Sequence, residues 1–300
     1  MTAITSMEQL VGEAEAAGLP ISAVVLRQQA EDLERPQEEL LAQMARRLEV
    51  MRQSAEEGTR EDLRSASGLT GGEAFLMDRW SRSGQTLCGP TFTGALAGAL
   101  AVAGLNAAMG RIVAAPTAGS CGILPGALFA LAGQRDLSDQ DLCRGLFCAA
   151  GVGMVVAQNA TVAGAEGGCQ AECGTASAMA AAALVELAGG TPAMAGHAVA
   201  MALKNLLGLV CDPVAGLVEI PCIKRNAGGV ANAFAAAEMA LAGIQSAIPA
   251  DEVITAMKQV GDNLPRALKE TAEGGLAATP TGCRLARQVF GKQPSVGTFL

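Results

Sequence analysis

Hydrophobic and polar positions change in character along the chain, and the change falls near residue 70. Before it, the segment 36–57 is rich in charged residues and carries apolar residues at helical spacing, which predicts an amphipathic helix. Pro36 suits its first turn and Gly58 its end. Two shorter helices are predicted before it, over about 6–17 and 20–33. The apolar positions of the amphipathic helix are Leu40, Leu41, Met44, Leu48 and Met51.

After residue 70, alanine-rich segments with few charges alternate with glycine-rich loops. Helices that are apolar all round are typical of the centre of a large helical domain. Ser138 and Thr191 are good N-caps, and Pro192 fits a first turn. No segment alternates apolar and polar residues long enough to predict a strand, so the predicted fold class is all-α. Helices are predicted near residues 90–109, 123–133, 139–158, 173–188, 192–207, 226–245, 250–262 and 265–273.

The same change in pattern predicts the domain organisation. An amphipathic helical region over 1–66 precedes an all-α domain over 67–300, and the two are expected to form one continuous unit. Glycine-rich loops let backbone N–H groups approach a ligand, and several such loops on rigid helices indicate a site. Four loops of the second region concentrate glycine, proline, polar residues and cysteine, namely 115–126, 161–174, 208–229 and 273–285.

Composition excludes some classes of protein. The formal charge of −8, without a compact lysine and arginine stripe, argues against nucleic acid, because phosphate binding needs a basic face. Segments such as 92–110 are long and nearly uncharged, so a multi-helix membrane protein is an alternative. Their apolar content is alanine and glycine, however, and aromatic residues for the two membrane interfaces are missing. We therefore expect no membrane partner.

Cysteine usage indicates the compartment. The N-terminus has no basic region followed by an apolar run, so no secretory signal is predicted. Nine cysteines without such a signal predict a reducing compartment, the cytoplasm, where thiols bind metals, react or pack rather than form disulfides.

The spacing of the cysteines favours a thiolate site. Cys169 and Cys173 are the two cysteines closest in sequence, but the matching second pair of a zinc site is missing. Cys173 is as well explained by packing as by metal ligation. Iron–sulfur clusters take thiolates from scattered positions and fit better. Cys143 and Cys148 fall inside a predicted helix, where cysteine usually packs. The cysteines in the loops are Cys121, Cys169, Cys211, Cys222 and Cys283.

Three long stretches carry a resemblance to a known family. They are "PTAGSCGILPGAL", "GGCQAECGTASAMAAAALVELAGGTP" and "NLLGLVCDPVAGLVEIPCIKRNAGG", and they strongly resemble the alpha chain of iron–sulfur-dependent L-serine dehydratase. The resemblance runs from about residue 70 to 285 and extends more loosely over the N-terminal helices. It implies a 4Fe–4S cluster with one open iron, held at the positions of Cys169, Cys211 and Cys222. The implied reaction is α,β-elimination of L-serine to pyruvate and ammonia, with the open iron as Lewis acid, in amino-acid degradation and gluconeogenesis.

The resemblance also implies a partner and leaves the catalytic base open. The family's enzyme has a beta portion, fused or separate, and this sequence starts directly with alpha-type helices, so a beta chain is expected in a hetero-oligomer or homo-oligomer. His197, the only histidine, is the candidate base in this chain, and the partner chain is its other source. Lys224 follows Cys222 closely and is a candidate for contact with cluster or substrate. Cys283 is a candidate cap for the open iron.

Polar residues at helix ends are candidates for binding the substrate. Thr117, Gly119 and Ser120 precede a helix predicted to start near Ile123, and a helix start suits a carboxylate because it offers unpaired N–H groups and a positive dipole end. The alternative for Ser120 is a simple N-cap. The other candidates, for which helix capping is equally the alternative, are Asn159 and Asn226.

A pyridoxal-phosphate-dependent amino-acid lyase would perform similar chemistry. It would need a Schiff-base lysine beside a phosphate cradle. Lys204 is available, but it lies inside a helical pattern without an adjacent phosphate loop, and the all-α prediction disfavours that class.

Overall fold

A computed structural model describes residues 4–291 of the chain. Within that range it consists of helices joined by turns and has no named strand, which confirms the all-α prediction. One π turn, Gln170–Gly174, leads into a long helix. The α-helices are α1 Met7–Ala17, α2 Ile21–Asp32, α3 Gln37–Gly58, α4 Glu73–Ser81, α5 Gly89–Ala107, α6 Ile123–Arg135, α7 Asp139–Asn159, α8 Gly164–Gly167, α9 Thr175–Leu187, α10 Pro192–Asn205, α11 Cys222–Leu241, α12 Ala250–Asn263 and α13 Pro280–Phe290.

The predicted helix starts at Ser138 and Thr191 are confirmed. The Ser138 hydroxyl accepts a hydrogen bond from the Asp141 backbone N–H, and the Asp141 carboxylate accepts one from the Ser138 backbone N–H. This reciprocal pair satisfies two N–H groups that the first turn leaves free. The Thr191 hydroxyl accepts from the Met194 backbone N–H, with Pro192 in the first turn.

Helix α9 forms the centre of the core. It packs against α6, α7, α10 and α11, and its side chains from residue 175 to 185 are all buried. Alanine suits this place because it favours the helix and leaves little distance between neighbouring backbones. Between α5 and α6 the approach is closer still, since a Cβ atom added to Gly126 would lie 2.8 Å from the Ala95 carbonyl oxygen.

The N-terminal helices share this core. α2 and α3 pack against α7, α3 also packs against α5, and α1 packs against α10. Leu40, Leu48 and Met51 of the amphipathic helix α3 are buried inside the chain's own core. The apolar face of α3 is therefore covered largely by the chain itself. The division at residue 66 stays a prediction.

Two helix predictions differ from the structure. The segment 265–273 is not an α-helix; it contains the 3-10 turn Arg266–Leu268, and Glu270 and Ala272 have positive φ angles. It is extended enough to bond with the backbone of Cys211 through an isolated parallel bridge at Lys269. Helix α11 begins at Cys222, four residues before the predicted start, so Cys222 lies on a helix rather than on a loop.

Helices α4, α8 and α13 were not predicted. α13 begins inside the segment 273–285, which the glycine content marked as a loop. Its start carries an ordinary signal, because Thr279 caps the Gly282 backbone N–H and Pro280 occupies the first turn.

One helix bears on the membrane alternative. Among residues 4–291, α7 is the single unbroken helix that is long and apolar enough to span a bilayer, and α1 with α2 would qualify only as a pair bent by 104°. Most of the apolar window of α7, 61%, is buried inside the fold. Core helices of globular proteins show the same property, so the membrane alternative is not favoured.

Candidate functional site

Buried thiols gather where the π turn meets the loop before α11. Cys169 directly precedes the π turn, and its Sγ atom lies 3.4 Å from the Sγ of Cys173. The Cys211 thiol also hydrogen-bonds Cys169. All nine cysteines of the chain are free of disulfides. Cys169, Cys173 and Cys211, which we call the thiol cluster, are at most 3% exposed.

The backbone fixes Cys211 on both sides. Its N–H donates to the Leu268 carbonyl at 2.9 Å, and its carbonyl accepts from the Glu270 N–H at 2.7 Å. The segment 265–273, predicted as a helix, thus serves as a backbone partner for a loop cysteine. Cys222 is the first residue of α11 and is 8% exposed.

Negative charge in the thiol cluster concentrates on Cys169. Hydrogen bonds from the thiols of Cys173 and Cys211 lower the pKa of Cys169, and the nearby Arg225 guanidinium lowers it further. The same hydrogen bonding and burial raise the pKa values of Cys173 and Cys211. Burial, together with the charge on Cys169, raises the pKa of Cys222 to about 12. Cys169 is therefore the thiol of the cluster that most favours the thiolate form.

A buried ion pair supports this charge. Arg225 donates to Asp212 at 2.8 Å and to the Val210 carbonyl at 2.7 Å, so it holds the backbone on both sides of Cys211. The second oxygen of Asp212 accepts from the Leu276 N–H at 2.8 Å.

The loop before α6 is held against the thiol cluster. Thr117 donates from its hydroxyl to Glu172 Oε1 at 2.5 Å, and its hydroxyl lies 3.1 Å from that of Ser120. Ser120 is fully buried and does not cap α6, whose N-cap residue is Gly122. The N-cap interpretation of Ser120 is therefore wrong, because its hydroxyl faces Thr117.

Asn226 connects the loop to α11. This fully buried side chain donates to the Gly119 carbonyl at 2.8 Å and to the Cys222 carbonyl at 2.9 Å. Its Oδ1 accepts from the Gly122 N–H at 2.9 Å. One amide therefore joins the start of α6 to the turn that begins with Cys222.

Glu172 is the acidic group of the site, and the sequence reasoning missed it. Burial raises its pKa to about 7, against the hydrogen bond from Thr117, and the negative charges of Cys169 and Glu270 raise it further. A signal existed in the quoted stretch "CQAEC", where the glutamate lies between two cysteines. Helical spacing alone does not show that this turn is a π turn.

The remaining candidates lie elsewhere. His197 Nδ1 accepts from the Ser246 N–H at 3.3 Å, and its ring lines a separate cavity of about 360 Å³ beside α1 and α12. Lys224 donates to Glu73 at 3.1 Å and is largely exposed. Asn159 bonds the Thr5 and Val155 carbonyls. The structure does not bring these three residues to the thiol cluster.

Cys283 has a local contact of its own. Its Sγ donates to the Ala277 carbonyl at 3.7 Å, from α13. α13 packs against the 3-10 turn Val214–Gly216, which lies between Cys211 and Cys222 in sequence. This contact places the helix of Cys283 beside the loop between Cys211 and Cys222. No hydrogen bond within residues 4–291 joins the Cys283 sulfur to the thiol cluster.

The donor set contains thiols, which are the ligands of an iron–sulfur group. Within residues 4–291, no three cysteine, histidine or carboxylate side chains are arranged to hold one metal ion. In an iron–sulfur cluster each thiolate binds a different iron, so its ligands surround the group rather than meet at a point. Buried thiols, with one of them already favouring the thiolate, fit such a group.

The fold and site define an all-α protein with a buried, thiol-rich centre beside a hydroxyl-bearing loop. Comparison with known proteins identifies the family: the chain belongs to the family described as "Serine dehydratase alpha chain", whose profile matches residues 16–277. The "Probable L-serine dehydratase, alpha chain" of Bacillus subtilis is 50% identical over 286 residues, covering 95% of each chain.

Two further relatives differ in length. The "L-serine dehydratase, alpha chain" of Peptoniphilus asaccharolyticus is 42% identical and covers 95% of this chain and 97% of its own. The "L-serine dehydratase" of Streptomyces coelicolor is 38% identical over 92% of this chain but only 61% of its own length. The sequence of this chain therefore corresponds to a part of that longer protein.

Proposed function

We propose that this chain is the alpha chain of an iron–sulfur-dependent L-serine dehydratase, a cytoplasmic lyase that converts L-serine to pyruvate and ammonia. Membership of the serine dehydratase alpha-chain family supports the substrate and the reaction. The observation that carries the cluster assignment is the meeting of Cys169 and Cys211 beside the Arg225 guanidinium. Asn226 joins the turn that begins with Cys222 to the loop that carries Gly119.

Cys169, Cys211 and Cys222 would hold a 4Fe–4S cluster. When bound, the cluster supplies a Lewis acid that favours departure of the serine hydroxyl and acidifies the α-carbon next to the carboxylate. Arg225 compensates the negative charge of the ligand thiolates, because it hydrogen-bonds Cys169 and pairs with the buried Asp212.

Thr117, Gly119 and Ser120 would bind the substrate. The Thr117 hydroxyl donates to Glu172, so the Ser120 hydroxyl is the one that can donate to a carboxylate, and Gly119 lets the backbone approach it, since no side chain intervenes. Asn226 holds this loop in place through the Gly119 carbonyl and the Gly122 N–H. Water is kept away from much of this arrangement, because Ser120 and Asn226 are fully buried.

A beta chain would complete the enzyme. The names of the relatives from Bacillus and Peptoniphilus describe alpha chains, which supports a partner chain. Three candidate residues lie away from the thiol cluster and have no role in the proposed site, namely His197, Lys224 and Asn159. Full turnover by the reconstituted alpha chain alone would contradict the need for a partner.

A pyridoxal-phosphate lyase is not favoured. Lys204 donates from its ammonium group to the Ser246 hydroxyl at 2.7 Å, on the side of α10 that also carries His197. This lysine is tied to a loop rather than directed to the thiol cluster.

Replacement of the ligands tests the cluster directly. Cys169→Ser, Cys211→Ser and Cys222→Ser should each lose the iron, the acid-labile sulfide and the charge-transfer absorbance of the anaerobically reconstituted protein, together with activity. Cys143→Ala and Cys148→Ala are matched controls, because both cysteines are buried in α7. They should keep the cluster and cost at most a few kcal/mol of stability, about what loss of a small buried side chain costs. Wild-type iron content in all three ligand variants would refute the assignment.

A further inference from the structure

The surroundings of Glu172 differ from those of a carboxylate that only stabilises the fold. Its Oε1 accepts a hydrogen bond from the Thr117 hydroxyl. No lysine or arginine within residues 4–291 forms an ion pair with Glu172. The cation beside the thiol cluster, Arg225, is already paired with Asp212 and hydrogen-bonds Cys169. Buried carboxylates that serve stability are ordinarily paired, since an unpaired buried charge is costly.

The second oxygen of Glu172 lies beside the backbone of Gly164, close to the Cys211 sulfur of the thiol cluster. A Cβ atom added to Gly164 would lie 3.0 Å from Glu172 Oε2 and 3.2 Å from Cys211 Sγ. A Cβ atom added to Gly119 would lie 2.8 Å from Glu172 Oε1. Glycine at both positions therefore leaves out a Cβ atom that would crowd the carboxylate, and Gly164 also lies beside the sulfur of a proposed ligand. On these two sides the carboxylate is bordered by backbone rather than by side chains.

The remaining charged groups of the site favour a carboxylate that can change its protonation state. Cys169 and Glu270 face it with negative charge, and burial raises its pKa to about 7. A group whose pKa lies near the working pH is best suited to accept a proton and then return it. Thr117 orients the carboxylate from the opposite oxygen, and no hydrogen bond from residues 4–291 reaches Oε2.

We propose that Glu172 is the catalytic acid and base of this chain, with Oε2 exchanging a proton with the α-carbon of L-serine. This inference rests on the proposed function. The Cα–H bond breaks and its proton bonds to Oε2, while the C–H electron pair forms the Cα=Cβ double bond. The Cβ–O bond breaks with its electron pair on oxygen, and the neutral carboxyl of Glu172 returns its proton to that oxygen. Water and 2-aminoacrylate leave, and Glu172 is again a carboxylate.

The competing explanation is that Glu172 only anchors the loop through Thr117. Glu172→Gln separates the two, because an amide can keep the bond from Thr117 but cannot take a proton. If Glu172 is the base, the reconstituted holoenzyme of this variant should keep its iron and sulfide, and serine should still change the cluster's absorbance with about wild-type affinity. Its kcat should fall by about 10²–10⁴, the range for loss of a general base.

Glu172→Asp provides a second measurement. It retains a carboxylate but withdraws it from the substrate, so proton transfer should limit the rate. The kinetic isotope effect on kcat with α-deuterated L-serine should therefore rise above the wild-type value. Glu186→Gln is the matched control. Glu186 is a largely buried carboxylate in α9 that accepts a hydrogen bond from the Ser22 N–H of α2. It should leave kcat and the isotope effect unchanged.

The outcomes distinguish this inference from the proposed function. A wild-type protein that takes up no cluster refutes the proposed function, and with it this inference. A loaded and active wild type beside a loaded Glu172→Gln variant whose kcat stays within 10-fold overturns the inference alone. If Glu172→Gln fails to load, Glu172→Asp decides: an unchanged isotope effect with unchanged kcat overturns the catalytic role, and a raised isotope effect with lowered kcat supports it.

Discussion

Removing the carboxylate of Asp212 should destabilise the fold strongly. The Asp212 and Arg225 side chains are only 4% and 17% exposed, so their attraction is weakly screened. Asp212 accepts one charge-assisted hydrogen bond from Arg225 and one from the Leu276 N–H. Both bonds are accepted by a charged carboxylate, and bonds to charged groups contribute about 1.5–3 kcal/mol each, so Asp212→Ala should cost about 3–6 kcal/mol. This agrees with the 3–5 kcal/mol, roughly, that breaking a buried pair costs.

The appropriate measurement is the free energy of unfolding in urea, followed by far-ultraviolet circular dichroism on metal-free, fully reduced protein. Metal must be absent because a bound cluster would add its own binding free energy to the native state. Asp262→Ala is the control, since Asp262 forms an exposed pair with Lys258 one helical turn away. Pairs of this kind contribute roughly 0.3–0.5 kcal/mol, so the control should barely change.

A double-mutant cycle isolates the pair itself. Arg225→Met removes the charge but keeps much of the side-chain volume, and the Asp212→Ala/Arg225→Met double variant should be less destabilised than the sum of the single variants. The expected coupling is about 1.5 kcal/mol or more, because neighbours in one hydrogen-bonded network do not act additively. A coupling below about 0.5 kcal/mol, or an Asp212→Ala variant no weaker than Asp262→Ala, would refute the reasoning.

Two further predictions concern packing and the substrate loop. Gly126→Ala should destabilise the protein by about 1–3 kcal/mol, because its Cβ would meet the Ala95 carbonyl and nearby backbone. Gly133→Ala lies in open space on the same helix and should stabilise the protein by about 0.5–1 kcal/mol. A Gly126→Ala variant that melts at the wild-type temperature would contradict the first prediction. Ser120→Ala should lower kcat/KM for L-serine in a fully loaded enzyme, while an unchanged kcat/KM in both this variant and Thr117→Ala would remove the loop from the substrate site.

The helices were predictable because their signals are local. Alanine-rich runs and the caps at Ser138 and Thr191 require nothing beyond neighbouring residues, and the structure agrees with them. The segment 265–273 was mispredicted because its conformation depends on Cys211, more than fifty positions away in sequence. Helix propensity there is overridden by backbone bonds to a distant loop.

The candidate site was predictable only in part. Thr117, Ser120 and Asn226 were identified from helix ends, and the structure does bring them together with Glu172 and the thiol cluster. Glu172 itself was missed, because its importance comes from burial and from a π turn that spacing does not reveal. His197 was chosen as the sole histidine, and rarity of a residue type says nothing about where the fold places it.

The site also explains why the helices around it begin where they do. The starts of α6 and α11 meet through Asn226, and the π turn that opens into α9 meets the α6 loop through Glu172 and Thr117. Each helix start carries a partial positive charge that stabilises a nearby anion by about 0.3–1 kcal/mol. This arrangement demands close backbones, since a Cβ on Gly122 would lie 2.1 Å from the Ala99 carbonyl oxygen. The small residues of the sequence therefore serve the site as well as the core.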